Sequence, residues 1–163
     1  MNPIRAAIVI LSDKGFAGQR EDLSGPALRE LLDGQAEITA QLLLPDDRDQ
    51  IAAALMKLCD ENVADVVLTS GGTGFTPRDV TPEATLDVVE RLAPGIPEAM
   101  RAHSMRITNR AMLSRAAAGI RGRTLIINLP GSPKAVRECM EIVLPVLPHA
   151  VETLHGVSGD CAR

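Results

Sequence analysis

At 163 residues and 17.3 kDa the chain has the length of one domain, and its 45% apolar and 23% charged residues exclude a disordered chain and a coiled coil. A formal net charge of −4 and the lack of any Trp or Tyr, with Phe16 and Phe75 the only Phe, argue against a nucleic-acid partner. Such binding draws on basic charge and on base stacking against aromatic rings.

The chain reads as alternating strands and helices. Ile4 to Ser12 is a near-continuous apolar run, the pattern of a strand buried on both faces. Ser24-Gly25-Pro26 opens a helix with Leu28, Leu31 and Leu32 on one side, ending at Gly34. Glu37 to Leu44 is strand-like and stops at Pro45. Asp46 or Asp47 then caps a helix whose Ile51, Ala54, Leu55 and Leu58 share a face. Ala64 to Thr69 is a third buried strand, running into the glycine-rich Ser70-Gly71-Gly72-Thr73-Gly74. Thr81-Pro82-Glu83 starts a further helix, with Thr at the cap and Pro at the first helical position. Residues 96–116 read as two helical pieces. Ala117 to Ile120 and Thr124 to Leu129 form a hairpin around Arg121-Gly122-Arg123. Ser132-Pro133 begins a long last helix, bent at Pro145 and Pro148. No repeat or linker interrupts this order, so the expectation is a single domain over 1–163, of α/β/α type with a mostly parallel sheet.

Charge is segregated along the chain. Residues 1–98 carry a net −9, and residues 99–137 carry eight bases and no acid. The bases are Arg101, Arg106, Arg110, Arg115, Arg121, Arg123, Lys134 and Arg137. Two readings stay open: a face that pairs with acids elsewhere in the fold, or an anion-binding stretch. Cys59, Cys139 and Cys161 are widely spaced, fit neither a disulfide framework nor a zinc site, and suggest free thiols in a reducing cytoplasm. Asn2-Pro3 leads straight into the first strand and no apolar run is long enough to span a bilayer, so neither a secretory leader nor a membrane is expected.

In a parallel α/β sheet, ligands bind beyond the carboxyl ends of the strands. Those ends here read Ser12-Asp13, Pro45-Asp46-Asp47, Ser70 to Gly74, and Asn128-Leu129-Pro130-Gly131-Ser132. Glycine-loop amides and helix amino termini suit phosphate, and carboxylates facing phosphate call for Mg²⁺ between them. A phosphorylated small molecule with magnesium is the expected ligand. No G-x-x-x-x-G-K-[ST] is present, and Gly71 to Gly74 does not spell G-x-G-x-x-G.

The longer segment from Thr69 to Thr85, Thr-Ser-Gly-Gly-Thr-Gly-Phe-Thr-Pro-Arg-Asp-Val-Thr-Pro-Glu-Ala-Thr, resembles the signature of the molybdopterin adenylyltransferase family. That family includes bacterial MogA proteins and the pterin-binding G domains of plant and animal molybdenum-cofactor proteins. The resemblance runs from about Ile8 to His155. It includes Ser12-Asp13, Asp22 to Pro26, Leu44-Pro45-Asp46, Ala111 to Arg115 and Leu125 to Pro133.

The resemblance implies a three-layer α/β/α sandwich whose sheet has one antiparallel strand, which the 121–123 hairpin would supply. It implies Mg²⁺-dependent transfer of AMP from ATP to the terminal phosphate of molybdopterin, giving adenylyl-molybdopterin and pyrophosphate. Asp46 and Asp79 match the family's catalytic acids and are the expected metal ligands. Ser12, Ser104, Ser114, Asn128 and Pro130 match positions of binding or catalysis, and Gly71, Gly72, Thr73, Gly74, Gly131 and Ser132 complete the expected substrate site. A homotrimer is implied, and a molybdenum-insertion enzyme is the candidate partner. A phosphate nucleophile is already anionic near neutral pH, so His103, His149 and His155 are read as surface or packing residues and Asp13, Asp22 and Asp47 as caps or surface acids. Two other readings remain: a MoaB-like protein of the same fold but different assignment, and a non-catalytic pterin-binding scaffold.

Overall fold

Alternation along the first strand sets the layers. In the computed structural model, which describes residues 3–157, β1 (Ile4–Leu11) sends Ala6, Ile8 and Ile10 to one face of the sheet and Ala7, Val9 and Leu11 to the other. Both sets are buried, so the strand reads as an unbroken apolar run.

Three further strands lie parallel to β1: β2 (Ala36–Leu44), β3 (Val66–Ser70) and the last strand, β6 (Thr124–Leu129). The six-stranded order is β2-β1-β3-β6-β5-β4. Here β5 (Ala118–Arg121) is antiparallel to β6, and β4 (Arg91–Leu92) is antiparallel to β5. The antiparallel strand expected at the hairpin is β5. The two-residue β4 was not foreseen: Arg91 and Leu92 are both exposed and too few to show a period.

Helices cover both faces. Against Ile8, Leu68 and Ile127 lie α2 (Ser24–Leu32), α5 (Gly95–Ser104), α6 (Pro133–Val143) and α7 (Leu147–Leu154). Against Val9, Val67 and Ile126 lie α3 (Arg48–Asp60) and α4 (Thr81–Val88). With the sheet between, this is the three-layer sandwich. Asp47 is the residue that caps α3, accepting the Gln50 N–H at 2.9 Å. A 3₁₀ turn over Leu144–Val146, with Pro145 inside it, separates α6 from α7 where the bend was expected. Two local expectations change. A one-turn helix, α1 (Asp13–Phe16), follows β1, capped by the Ser12 hydroxyl. Thr81 is not the cap of α4 but its first residue, with Val80 in the cap position. Cys59 and Cys139 are buried free thiols, and burial pushes the Cys59 thiol up to about 11. Cys161 lies outside the described residues.

Register brings the functional ends level. Leu11 pairs with Leu44, Ile10 with Ser70, and Ser70 with Leu129, so four parallel strands finish side by side. At the opposite edge, Arg5 clamps Asp65. Its main-chain and side-chain N–H groups reach the carboxylate at 2.7–3.4 Å, and Asp65 is nearly buried. Burial by itself would raise the Asp65 carboxyl, but the Arg5 bonds prevail and hold it below its ordinary value. A lowered carboxyl stabilises the fold above its unfolded pKa, and that contribution is lost as pH falls through the folded value. Arg5→Met should therefore cost roughly 1–3 kcal/mol near neutrality, and the gap to the parent should narrow in acid. Urea titrations at pH 7 and pH 3 measure both; an equal gap at the two values would contradict the pairing.

Candidate functional site

A cleft of 490 Å³ opens where the four strands end. Its wall takes Ser12 from the end of β1, Asp46 from the end of β2, Gly71 and Gly72 after β3, and Gly131 and Ser132 after β6. Asp79 closes one side. A larger concavity of 680 Å³ sits at the opposite, amino-terminal edge beside Arg5 and Asp65, but it has neither the glycine loop nor the strand-end acids.

The loop after β3 can follow its path only as glycine. Gly71 has φ +106°, and a β-carbon there would overlap the Leu11 carbonyl oxygen. Gly72 has φ +67°, and a β-carbon there would overlap the Thr81 hydroxyl. The Gly72 carbonyl accepts the Thr81 N–H at 3.1 Å, joining the loop to the start of α4. Around the loop, Ser70 donates to the Pro130 carbonyl at 2.8 Å and Ser24 to the Gly131 carbonyl at 2.7 Å. Asp22 accepts the Ser24 and Gly25 N–H groups, both at 3.0 Å, as the helix-start acid that its position suggested.

The two acids come from separate elements and meet at this cleft. Asp46 and Asp13 bond reciprocally: each carboxylate accepts the other's N–H, at 3.0 and 2.9 Å. Burial raises the Asp46 carboxyl above its ordinary value, and the charges of Asp13 and Asp79 add to that, against the Asp13 N–H bond. Its Oδ1 is buried without a hydrogen-bond partner. Asp79 Oδ2 accepts both the N–H and the hydroxyl of Thr76, at 2.9 and 2.8 Å. It neither caps α4 nor pairs with Arg78, which reaches Asp13 instead at 2.9 and 3.0 Å. That pairing holds the Asp13 carboxyl below its ordinary value.

A second, mostly apolar cleft of 270 Å³ lies on the other side of the loop. Thr73, Gly74, Ser104, Ser114 and Pro130 line it, with Met100, Leu113 and Cys139. Every substrate residue expected from the sequence but one falls on one of these two walls. The exception is Asn128, fully buried beneath them. Its amide donates to Thr69 and Thr85 at 3.1 and 2.8 Å, and its Oδ1 accepts the Ala117 N–H at 3.1 Å. It fixes the floor of the site from below.

Arg115 went unnoticed as an individual residue. Its backbone N–H donates to Thr73 O at 2.9 Å, and its guanidinium donates to Gly74 O and Asp79 O, both at 2.7 Å, and to Glu83. One side chain thus straps the loop between the two clefts. Other members of the basic stretch make such contacts: Arg101 on the Ser114 and Ala116 carbonyls, Arg121 on Asp60, and Arg137 on Glu30. For Arg115, Arg121 and Arg137 the charge-pairing reading holds, while Arg101 and Arg110 line the apolar cleft. His103 lies 3.2 Å from Glu141 and His155 3.1 Å from the Arg123 carbonyl; neither lines either of these two clefts, and His155 stands at the amino-terminal concavity.

The fold aligns with the crystal structure of the molybdopterin biosynthesis enzyme MoaB from Thermus thermophilus at a TM-score of 0.89, with 50% identity, covering 94% of this chain and 97% of that one. The model of a probable molybdopterin binding domain matches residues 7–149. The molybdopterin adenylyltransferase of Helicobacter pylori J99 is 43% identical over 159 residues, 96% of this chain and 90% of the relative. The chain belongs to the molybdopterin adenylyltransferase family. The Escherichia coli K12 molybdopterin adenylyltransferase agrees, at 41% identity over 96% of this chain and 81% of its own. The family segments now have places in the fold. Thr69 to Thr85 forms the loop, Asp79 and the start of α4, while Ala111 to Arg115 lines the apolar cleft and carries the strap. Leu125 to Pro133 forms the floor and the start of α6.

Proposed function

We propose that this protein, a nucleotidyltransferase of molybdenum cofactor biosynthesis, transfers AMP from ATP to the terminal phosphate of molybdopterin. The observation that carries the reading is the near full-length identity to named molybdopterin adenylyltransferases, joined to two clefts that share the glycine loop as their common wall. An oxygen of the molybdopterin phosphate forms the new bond to the α-phosphorus, and the bond from that phosphorus to the β-phosphate oxygen breaks, releasing pyrophosphate. The work left to the protein is positioning and charge control. Ser12, Gly71, Gly72, Gly131 and Ser132 bound the strand-end cleft, the more polar of the two and here called the polar cleft, which takes the phosphates; Thr73, Gly74, Ser104, Ser114 and Pro130 bound the apolar one.

Mg²⁺ suits the donor set. The acids at the polar cleft supply hard oxygen ligands, and among the described residues no group of three or more His, Cys, Asp and Glu is placed to hold a metal ion by itself, so phosphate oxygens would have to complete the set. One or two carboxylates with phosphate oxygens suffice for this ion, so Asp46 and Asp79 are the residues that would hold it. When bound, it supplies charge neutralisation at the phosphates.

We further propose a cytoplasmic homotrimer that passes its product to a molybdenum-insertion enzyme. No described helix is long and apolar enough to cross a membrane. The trimer rests on the family resemblance alone. Light scattering at micromolar concentration should report three times the chain mass; a monomer would refute the trimer.

The 50% identity to the Thermus protein titled MoaB favours a second reading, a pterin-binding protein of the same fold with another assignment. Incubation with molybdopterin, ATP and Mg²⁺ separates the two. Adenylyl-molybdopterin and pyrophosphate should appear in equal amounts, and molybdopterin binding without either product would favour the second.

A further inference from the structure

Asp13 reads in the sequence as a cap or surface acid, yet in the fold it meets both segments that carry the proposed acids. It is the first residue of α1, close behind the end of β1. Its N–H donates to Asp46 Oδ2 at 3.0 Å, and its Oδ1 accepts the Asp46 N–H at 2.9 Å. The same carboxylate takes the Arg78 guanidinium on both oxygens: Nη2 donates to Oδ1 at 3.0 Å and Nε to Oδ2 at 2.9 Å. Arg78 immediately precedes Asp79. The Asp79 carboxylate is held by Thr76 of its own turn, and Arg78 ties that turn to α1 across 65 positions of chain. Asp13 does not line the cleft, where its neighbours Ser12 and Gly15 stand. The Arg78 and Asp13 side chains are 64% and 41% exposed, and an ion pair so exposed adds little stability. Its two-pronged geometry nevertheless fixes orientation. Arg78 also offsets part of the repulsion that Asp13 and Asp79 exert on Asp46.

We propose that Asp13 is a positioning residue for adenylyl transfer, whose carboxylate couples the main chain of Asp46 to Arg78 and so sets the spacing of Asp46 and Asp79 across the polar cleft. This inference rests on the roles proposed above for those two acids. A shift of about 1 Å in a positioned group can cost roughly 10²-fold in rate, so a link that touches no substrate can still govern turnover.

Asp13→Ala removes every side-chain contact. Asp13→Asn keeps an acceptor for the Asp46 N–H and loses the charge that Arg78 meets, and Arg78→Met cuts the link from its other end. Asp13→Ala should lower kcat about tenfold or more with little change in the KM for molybdopterin, and the other two should fall between it and the parent. Calorimetric titration with Mg²⁺ and α,β-methylene-ATP reads the spacing without turnover. Affinity there should drop about tenfold in Asp13→Ala, while thermal melting stays near the parent. Adding Arg78→Met to Asp13→Ala should cost nothing more, since both substitutions cut one link. An unchanged kcat or an unchanged nucleotide affinity in Asp13→Ala, or a full additional loss in the double variant, would overturn the inference. Parent-like turnover in Asp46→Asn and Asp79→Asn would instead remove the reading on which it rests, so the two failures are distinguishable. If Asp13→Ala does not fold, Asp13→Asn and Arg78→Met, singly and together, carry the same comparison.

Discussion

Asp46→Asn and Asp79→Asn should each slow adenylyl transfer by about 10²–10³, the usual cost of removing one group that stabilises transition-state charge. Both carboxylates stand on the wall of the polar cleft, from elements 33 positions apart in the chain, and level strand ends bring them together. Asn keeps the local bonds, because an amide oxygen can still accept the Asp13 N–H or the Thr76 pair. Stability should move the other way at Asp46. Burial holds its carboxyl above the ordinary value, so the folded state disfavours the charged form. A carboxyl raised on folding costs stability above its unfolded pKa. Asp46→Asn should therefore melt no lower than the parent while turning over far more slowly. Near-normal turnover in both variants at saturating Mg²⁺ would refute the assignment, and unfolding of either would make the acid structural.

Gly71→Ala should be the most damaging single change to the fold. Its φ of +106° lies outside what an L-residue readily adopts, and the added carbon would overlap a main-chain oxygen of the neighbouring strand, which cannot swing aside. Strain of this kind costs about 1–3 kcal/mol before the clash is counted, so a total of roughly 3 kcal/mol or more is expected. Gly95→Ala is the control. Nothing lies within 4 Å of its new methyl, and its stability should stay within about 1 kcal/mol of the parent. Chemical denaturation of the pair tests this; similar midpoints would show that the loop yields more easily than its geometry implies.

Much of the scaffold was legible because buried parallel strands write themselves as apolar runs. Ile4–Leu11 and Thr124–Leu129 were plain for that reason, as was α3 from its Ile51, Leu55 and Leu58 face. Turn chemistry marked the helix starts at Asp47 and Ser132, where the side chain does accept an N–H. What stayed hidden depends on contacts remote in sequence. Nothing near Arg115 announces that its partners are Gly74, Asp79 and Glu83. The pairing of Arg78 with Asp13, rather than with its neighbour Asp79, spans 65 residues. Thr81 beside a Pro looked like a cap because local pattern favours that, yet its hydroxyl turns inward toward Gly72. Asn128 carried a motif position, but only the fold reveals that all its bonds are internal. The charge blocks were visible from the start, and pairing of the basic block with acids elsewhere was one of two open readings; which arginine closes on which carbonyls and acids was not legible.

The Arg115 strap also sets a limit on redesign. Its guanidinium holds Gly74 and Asp79 while its own neighbours, Ser114 and Ala116, line the apolar cleft. Residues altered between 74 and 79 to reshape one cleft would loosen the anchor of the other cleft's wall. Under the two-cleft reading proposed above, changes aimed at one substrate would then disturb the other, and productive variants would have to emerge as matched changes on both sides of residue 115.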